Sequence, residues 1–322
     1  MPDSQSDLIN LRNFGPVSVH WLCGAGISTV AELHKGYRLG KVTDAEKATL
    51  RREAGWIEAM TRNVSGLAVL LLASSPHPLI SQAVETGFLN RQAAVDGRTY
   101  RYQVYVPASY TPAQRWPVIL FLHGGGERGT DGLLQTQVGL GAALRKHADR
   151  FPAIVVFPQV PPDSFWTGTP ARVAMAALDL AVEEFRTDPD RVYLTGLSIG
   201  GNGTWYLAYR HPSRFAALMP ICGWVVPSKD WGLTTELVVP ADSGEPFAAL
   251  ARRLRNIPTW IVHGEVDDVL PVEQSRLAAA ALKAVGAPVQ YLELAGTDHN
   301  SWDPTYASPK MIEWLFAQRR RH

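Results

Sequence analysis

From about residue 117 onward, short apolar, β-branched runs alternate with longer helix-like stretches. That alternation predicts an α/β fold, a mostly parallel sheet with helices on both faces. The strand candidates are Val118–Leu122, Ala153–Phe157, Arg191–Thr195, Ala216–Ile221, Thr259–Val262 and Val289–Leu294. Between and after them, Pro170–Phe185, Asn202–Arg210, Val272–Val285 and Pro309–Arg319 read as helices. Ahead of the first of these strands, Arg91–Val95 and Arg98–Val106 flank Asp96-Gly97, a strong short-range hairpin signal, so the sheet is expected to open with an antiparallel pair.

The first 59 residues have a different texture. Thr29-x-x-Glu32 and Thr43-x-x-Glu46 have capping-box spacing and no strand pattern intervenes, which predicts short helices. The division expected is a helical extension over residues 1–85 and a catalytic domain over 86–322. The piece from Leu11 to Leu33 weakly resembles the helical C-terminal domain of bacterial competence regulators. Such hairpins can hold DNA, but residues 1–59 carry 7 Lys+Arg against 7 Asp+Glu, a balance that favours a structural segment. Met60-Thr61-Arg62-Asn63, the apolar run from Val64 to Ala73 and then Ser74-Ser75 have the layout of a short signal peptide. The alternative is a buried helix of the extension. The chain is expected to be cytoplasmic if Met1 is its start, and secreted or periplasmic if translation starts at Met60. The apolar run is too short to span a bilayer.

The composition narrows the chemistry. With 31 Lys+Arg against 30 Asp+Glu in 322 residues, there is no cationic excess for a phosphate backbone, so nucleic acid is not an expected partner. Cys23 and Cys222 make neither a disulfide framework nor a thiolate metal site, and the nine histidines include no H-E-x-x-H. No metal or other cofactor is implied.

The sharpest signal is Gly196-Leu197-Ser198-Ile199-Gly200, a G-x-S-x-G directly after the strand Arg191–Thr195 and before a helix. The glycines permit a strained turn that lifts the serine hydroxyl above the sheet edge. A serine needs a base oriented by a carboxylate, and in α/β-hydrolases the chain order is Ser, acid, His. Four histidines follow Ser198. His211 falls in a turn just after the nucleophile helix, His322 is terminal, and His263 precedes the best acid candidates and reads as structural. His299, just beyond the last strand, is the candidate base. The acid is expected at Asp267, with Asp268 as its main competitor and Glu265 as a more distant one. Of the two amides needed to hold an oxyanion, one is expected from Ile199 and the other from His123-Gly124-Gly125-Gly126, Gly125 first and Gly124 second.

Taken together, Leu122-His123-Gly124-Gly125-Gly126-Glu127-Arg128-Gly129, Pro158-Gln159, the Ser198 pentapeptide, His263-Gly264-x-x-Asp267 and Asp298-His299-Asn300-Ser301-Trp302 resemble bacterial serine esterases of the α/β-hydrolase superfamily. The similarity is to the group related to dienelactone hydrolases and to feruloyl and polyhydroxybutyrate-depolymerase-like esterases, often labelled predicted peptidases or phospholipase/carboxylesterases. It runs from about Phe88 to Phe316, with Leu270 standing where valine is commoner. The resemblance implies a cofactor-free hydrolase that works through an acyl-enzyme.

Substrate is less determined. Trp166 and Trp302 are expected to wall the pocket, whereas Trp205, on the helix behind Ser198, reads as core. The segment Gly223–Arg255 leaves room for only a small lid, which favours short-chain or aryl esters as the small-molecule partner. A peptidase of the prolyl-oligopeptidase kind is the alternative within catalysis, though no propeller-like segment precedes the first strand. A non-catalytic binding protein on the same fold is the alternative outside it, disfavoured by the joint presence of Ser198, Asp267 and His299.

Overall fold

In a computed structural model, residues 84–227 and 236–320 are described. The expectations placed on residues 1–83, including the capped helices, the signal-like segment at Met60 and the piece Leu11 to Leu33, lie outside them, as does His322. The described residues belong to one compact unit.

The strands are β1 (Gly87–Val95), β2 (Arg98–Val106), β3 (Trp116–Leu122), β4 (Ile154–Pro158), β5 (Thr187–Leu197), β6 (Ala217–Ile221), β7 (Thr259–Gly264) and β8 (Val289–Leu294). They form one eight-stranded sheet in the order β1-β2-β4-β3-β5-β6-β7-β8. The first two pair antiparallel with Val95 opposite Arg98, as the Asp96-Gly97 turn predicts, and both turn residues have positive φ (51° and 72°). β2 runs antiparallel to β4, and the pairs from β4 to β8 are parallel. With the antiparallel strands at one edge, this is the α/β-hydrolase arrangement.

The helices are α1 (Leu140–His147), α2 (Gly168–Glu184), α3 (Ile199–Arg210), α4 (Pro246–Leu254), α5 (Glu273–Ala284), α6 (Trp302–Ala307) and α7 (Pro309–Ala317). Every residue of β3, β4, β6 and β7 is buried, which is why these strands read as unbroken apolar runs rather than alternating ones. Successive β3 side chains serve opposite layers: Val118, Leu120 and Leu122 face the core under α2 to α5, while Ile119 and Phe121 face that under α1 and α7. Each such burial stabilises the fold by roughly 1.5–3 kcal/mol.

Two helices without a clear sequence signal, α1 and α4, fill the gaps between strands. α4 is started by the Glu245 carboxylate, which accepts from the amides of Phe247 and Ala248, with Pro246 at its first position. α3 begins at Ile199, earlier than the expected Asn202. Its three glycines are poor helix formers, but packing requires them: a methyl on Gly200 would lie 1.9 Å from the Leu122 carbonyl oxygen, one on Gly201 2.5 Å from that of Ile221, and one on Gly203 2.4 Å from the Trp166 Cβ. Tertiary contact overrides propensity here. No described helix is long and apolar enough to cross a membrane.

Candidate active site

Between β3 and its neighbours the strand order reverses, since the chain leaves β3 for β4 on one side and returns to β5 on the other. The loops after β3 and β5 therefore diverge and leave a crevice at the carboxyl ends of the strands, where ligands bind in sheets of this type. Ser198 follows β5 there, and Gly124 and Gly125 follow β3.

Ser198 sits at φ 54°, ψ −117°, a conformation that L-residues rarely adopt. It is held by its own amide, which donates to the Ile221 carbonyl at 3.0 Å, and by its carbonyl, which accepts from the Asn202 amide at 3.1 Å. The turn needs its flanking glycines: a methyl on Gly196 would be 2.4 Å from the Gly200 carbonyl oxygen. The side chain is half-exposed at the crevice floor.

His299 Nε2 lies 3.1 Å from Ser198 Oγ, and its Nδ1 lies 2.7 Å from Asp267 Oδ2. A carboxylate can only accept, so Nδ1 carries the proton and Nε2 is left to accept from the serine. Asp267 is thus brought to the base, and the other two acid candidates are not. Asp268 is exposed, and Glu265 caps the turn before His299 by accepting from the Gly296 amide at 2.8 Å.

Asp267 has a side chain sealed from solvent. Burial alone would raise its pKa, but hydrogen bonds from His263, His299 and the amides of Leu270 and Val269 outweigh it and hold the carboxyl well below the usual carboxylate range. His263 was expected to be structural, and its spacing gave no sign of a link to the acid. The structure puts its Nε2 3.1 Å from Asp267 Oδ2 and 3.1 Å from the Leu270 carbonyl, while Nδ1 meets Ser275 Oγ at 2.7 Å. It is a strand-anchored donor that fixes the acid loop.

The glycine run forms a 3-10 turn at Gly125–Glu127. The Gly124 amide donates to the buried Glu127 carboxylate at 2.9 Å and is engaged there. Burial pushes the Glu127 carboxyl up. Ile199, the first residue of α3, has an amide without an intrahelical acceptor.

His123 supports this turn from beneath. It is fully buried, its Nδ1–H donates to the Gly124 carbonyl at 2.6 Å, and its Nε2 accepts from the Val160 amide at 3.0 Å. Burial pushes its pKa down from 6.5 to about 4. Between those values the unfolded chain binds a proton that the folded one refuses, so stability is full above about pH 6.5 and falls as pH drops towards 4. The loss expected is on the order of 3 kcal/mol. Denaturant unfolding at pH 7 and pH 4.5 is expected to show it, and a His123→Gln variant to lack that share of the decline; an equal decline in the variant would remove His123 as the cause.

Trp166 corrects an expectation. It is fully buried, its Nε1–H donates to the His123 carbonyl at 3.0 Å, and its ring stands edge-on to His123 at 4.9 Å. It packs beneath the Gly125–Glu127 turn with no exposed surface to offer a ligand; its neighbour Phe165 is the partly exposed residue. Trp302 stands 5.3 Å from the His299 ring in a perpendicular arrangement and is partly exposed. Trp205 is core, as expected. In the segment Gly223–Arg255, residues 228–235 are outside the described set and the rest holds a short turn and α4.

Cys222, Asp267 and His299 bring potential ligand atoms within 4.8 Å of one another. Two of them are already engaged in the hydrogen-bonded chain, and burial pushes the Cys222 thiol up to about 12, which disfavours the thiolate a metal requires.

The sequence model of the prolyl oligopeptidase family matches residues 166–317. A thermostable esterase of known crystal structure is 33% identical with a TM-score of 0.61, covering 72% of this chain and 63% of that one. A ferulic acid esterase from the anaerobic fungus Anaeromyces mucronatus shares the fold at 15% identity and a TM-score of 0.55, over 73% of this chain and 92% of its own. The putative esterase NocK of Nocardia uniformis subsp. tsuyamanensis is 27% identical over 209 residues, 61% of this chain and 53% of the relative. The chain spans between 25% and 53% of the length of the curated relatives it matches. In strand order and in its likeness to solved esterases, the chain has the α/β-hydrolase fold.

Proposed function

We propose that this protein is a serine carboxylic-ester hydrolase that acts through an acyl-enzyme on short-chain or aryl esters, with Ser198 as nucleophile, His299 as base and Asp267 as the carboxylate that orients it. The observation that carries the reading is the unbroken line of hydrogen bonds from Asp267 through His299 to Ser198 Oγ. In the first half-reaction Ser198 Oγ attacks the ester carbonyl as its proton passes to His299 Nε2. The oxygen that becomes negative is received by the amides of Ile199 and Gly125. Collapse of the tetrahedral intermediate expels the alcohol, which takes the proton from His299. Water then gives a proton to His299 and attacks the acyl-enzyme, releasing the carboxylic acid and restoring Ser198.

Similarity to a thermostable esterase at 33% identity supports ester hydrolysis. A second reading, amide cleavage, is favoured by the prolyl oligopeptidase family match over residues 166–317. A panel of p-nitrophenyl esters and aminoacyl-p-nitroanilides assayed side by side separates them. Esters of short acyl chains are expected to be turned over and the anilides to give rates at least about 100-fold lower in kcat/KM, a difference of roughly 2.7 kcal/mol in transition-state stabilisation. Anilide turnover equal to or above ester turnover would replace the esterase reading with the peptidase one.

A further inference from the structure

Arg128 follows the Gly125–Glu127 turn directly; like Arg145 it is held by a backbone carbonyl and an aromatic ring, but it alone of the two stands against that turn. Its Nε–H donates to the Ser164 carbonyl at 2.7 Å, and its guanidinium carbon stands 4.7 Å over the Phe165 ring. Phe165 in turn meets the buried Trp224 edge-on at 6.2 Å. The cation is thereby clamped in one place. That place is beside the oxyanion turn: a methyl on Gly125 would be 3.3 Å from Arg128 Nη1.

The group is half-buried, and among the described residues it forms no ion pair with a carboxylate. Asp163 acts on it only from a distance, and desolvation, the larger influence, lowers its pKa. Glu127, its sequence neighbour, is turned the other way and bound to the Gly124 amide. Arg91, Arg191, Arg214 and Arg276, by contrast, each meet an acid. A partly desolvated cation without an acid partner is costly to keep unless something brings the countercharge to it. With Nε engaged, the two Nη groups present a parallel pair of N–H donors, the spacing that matches the two oxygens of a carboxylate.

We propose that Arg128 is a specificity residue that receives a carboxylate carried by the substrate, so that the site prefers esters bearing a carboxylate a few atoms from the scissile carbonyl to neutral esters of the same size. The proposal rests on the serine-esterase reading of the same crevice and adds the class of ester. Phe165 supplies the apolar wall along which the linking carbons lie. The carboxylate can belong to the acyl chain or to the alcohol, and both arrangements present the same group to the guanidinium.

Two matched pairs of esters test it with the full chain. For the acyl side, p-nitrophenyl hemiglutarate is compared with its neutral methyl ester; for the alcohol side, 4-carboxyphenyl butyrate with its neutral methyl ester. In at least one pair the carboxylate form is expected to be preferred by about 10- to 100-fold in kcat/KM, chiefly through KM. Arg128→Gln is expected to abolish that preference while changing kcat/KM for the neutral esters less than about threefold, and Arg128→Lys to restore part of it.

No preference in either pair would overturn the proposal while leaving the esterase reading in place. An Arg128→Gln variant that loses neutral and anionic turnover alike would also overturn it, since the residue would then be holding the oxyanion turn. If no ester in the set is hydrolysed, the esterase reading fails on its own account. Calorimetry then decides the Arg128 site separately. Monomethyl glutarate is expected to bind to Ser198→Ala and not to the Ser198→Ala, Arg128→Gln double variant, and equal binding by the two would refute the site.

Discussion

Ser198→Ala is expected to reduce ester hydrolysis to near background, a loss on the order of 10⁶ in turnover, because nucleophile, base and acid act as a unit. The fold is expected to survive the change. The bonds that hold the turn come from the backbone, from the Ser198 amide to Ile221 and from the Asn202 amide to the Ser198 carbonyl, and alanine keeps both. The hydroxyl itself is half-exposed, so its removal is expected to shift stability by no more than about 0.5 kcal/mol. Turnover of a short p-nitrophenyl ester, measured beside a denaturant melt, checks both halves. Appreciable hydrolysis by a homogeneous, folded Ser198→Ala preparation would rule out the serine mechanism.

Asp267→Asn is expected to lower turnover by roughly 10⁴-fold. An asparagine NH₂ cannot accept from His299 Nδ1, so the imidazole is driven to the tautomer whose Nε2 bears a proton and cannot take one from Ser198. Asp268→Asn is expected to leave kcat within about threefold, since that side chain is exposed and makes no contact with the base. Comparing kcat/KM for the two variants is decisive: a larger loss in Asp268→Asn would move the acid to that position.

The sheet was legible because its central strands are buried on both faces and so appear as short apolar blocks, and because Asp96-Gly97 fixes the opening hairpin. The turn that carries Ser198 was legible for a related reason. Its glycines sit where any side chain would strike the Leu122 or Gly200 backbone, and a constraint that local leaves a mark in five consecutive residues. Asp267 and His299 could be named from their positions after β7 and β8, but the separation of Asp267 from Asp268 depends on which way one loop faces.

Other features depended on such orientations and left no pattern. Between Pro158 and α2 the chain has neither strand nor helix period, so nothing in the order of residues tells Phe165 from Trp166. The structure buries Trp166 under the oxyanion turn and leaves Phe165 at the surface. His263 and Glu127 stand inside the recognised motifs, yet their hydrogen bonds to Asp267 and to the Gly124 amide arise from tertiary folding.

The four donors gathered on Asp267 constrain how the machinery can move. Oδ1 accepts from the amides of Val269 and Leu270, and Oδ2 from His263 and His299. Three of these four come from β7 and its own loop, so the acid stays in register with the sheet even when His299 departs. Among the described residues, the His299 ring is hydrogen-bonded to Asp267 and Ser198 and otherwise meets the edge-on ring of Trp302. In the proposed mechanism the imidazole would then be the part that shifts between the serine and an incoming water, while the Asp267 carboxylate stays fixed to β7 and its loop. The same donors hold the Asp267 carboxyl below the usual carboxylate range, so in the proposed mechanism the Nδ1 proton stays on the imidazole and the proton taken from Ser198 would halt on His299.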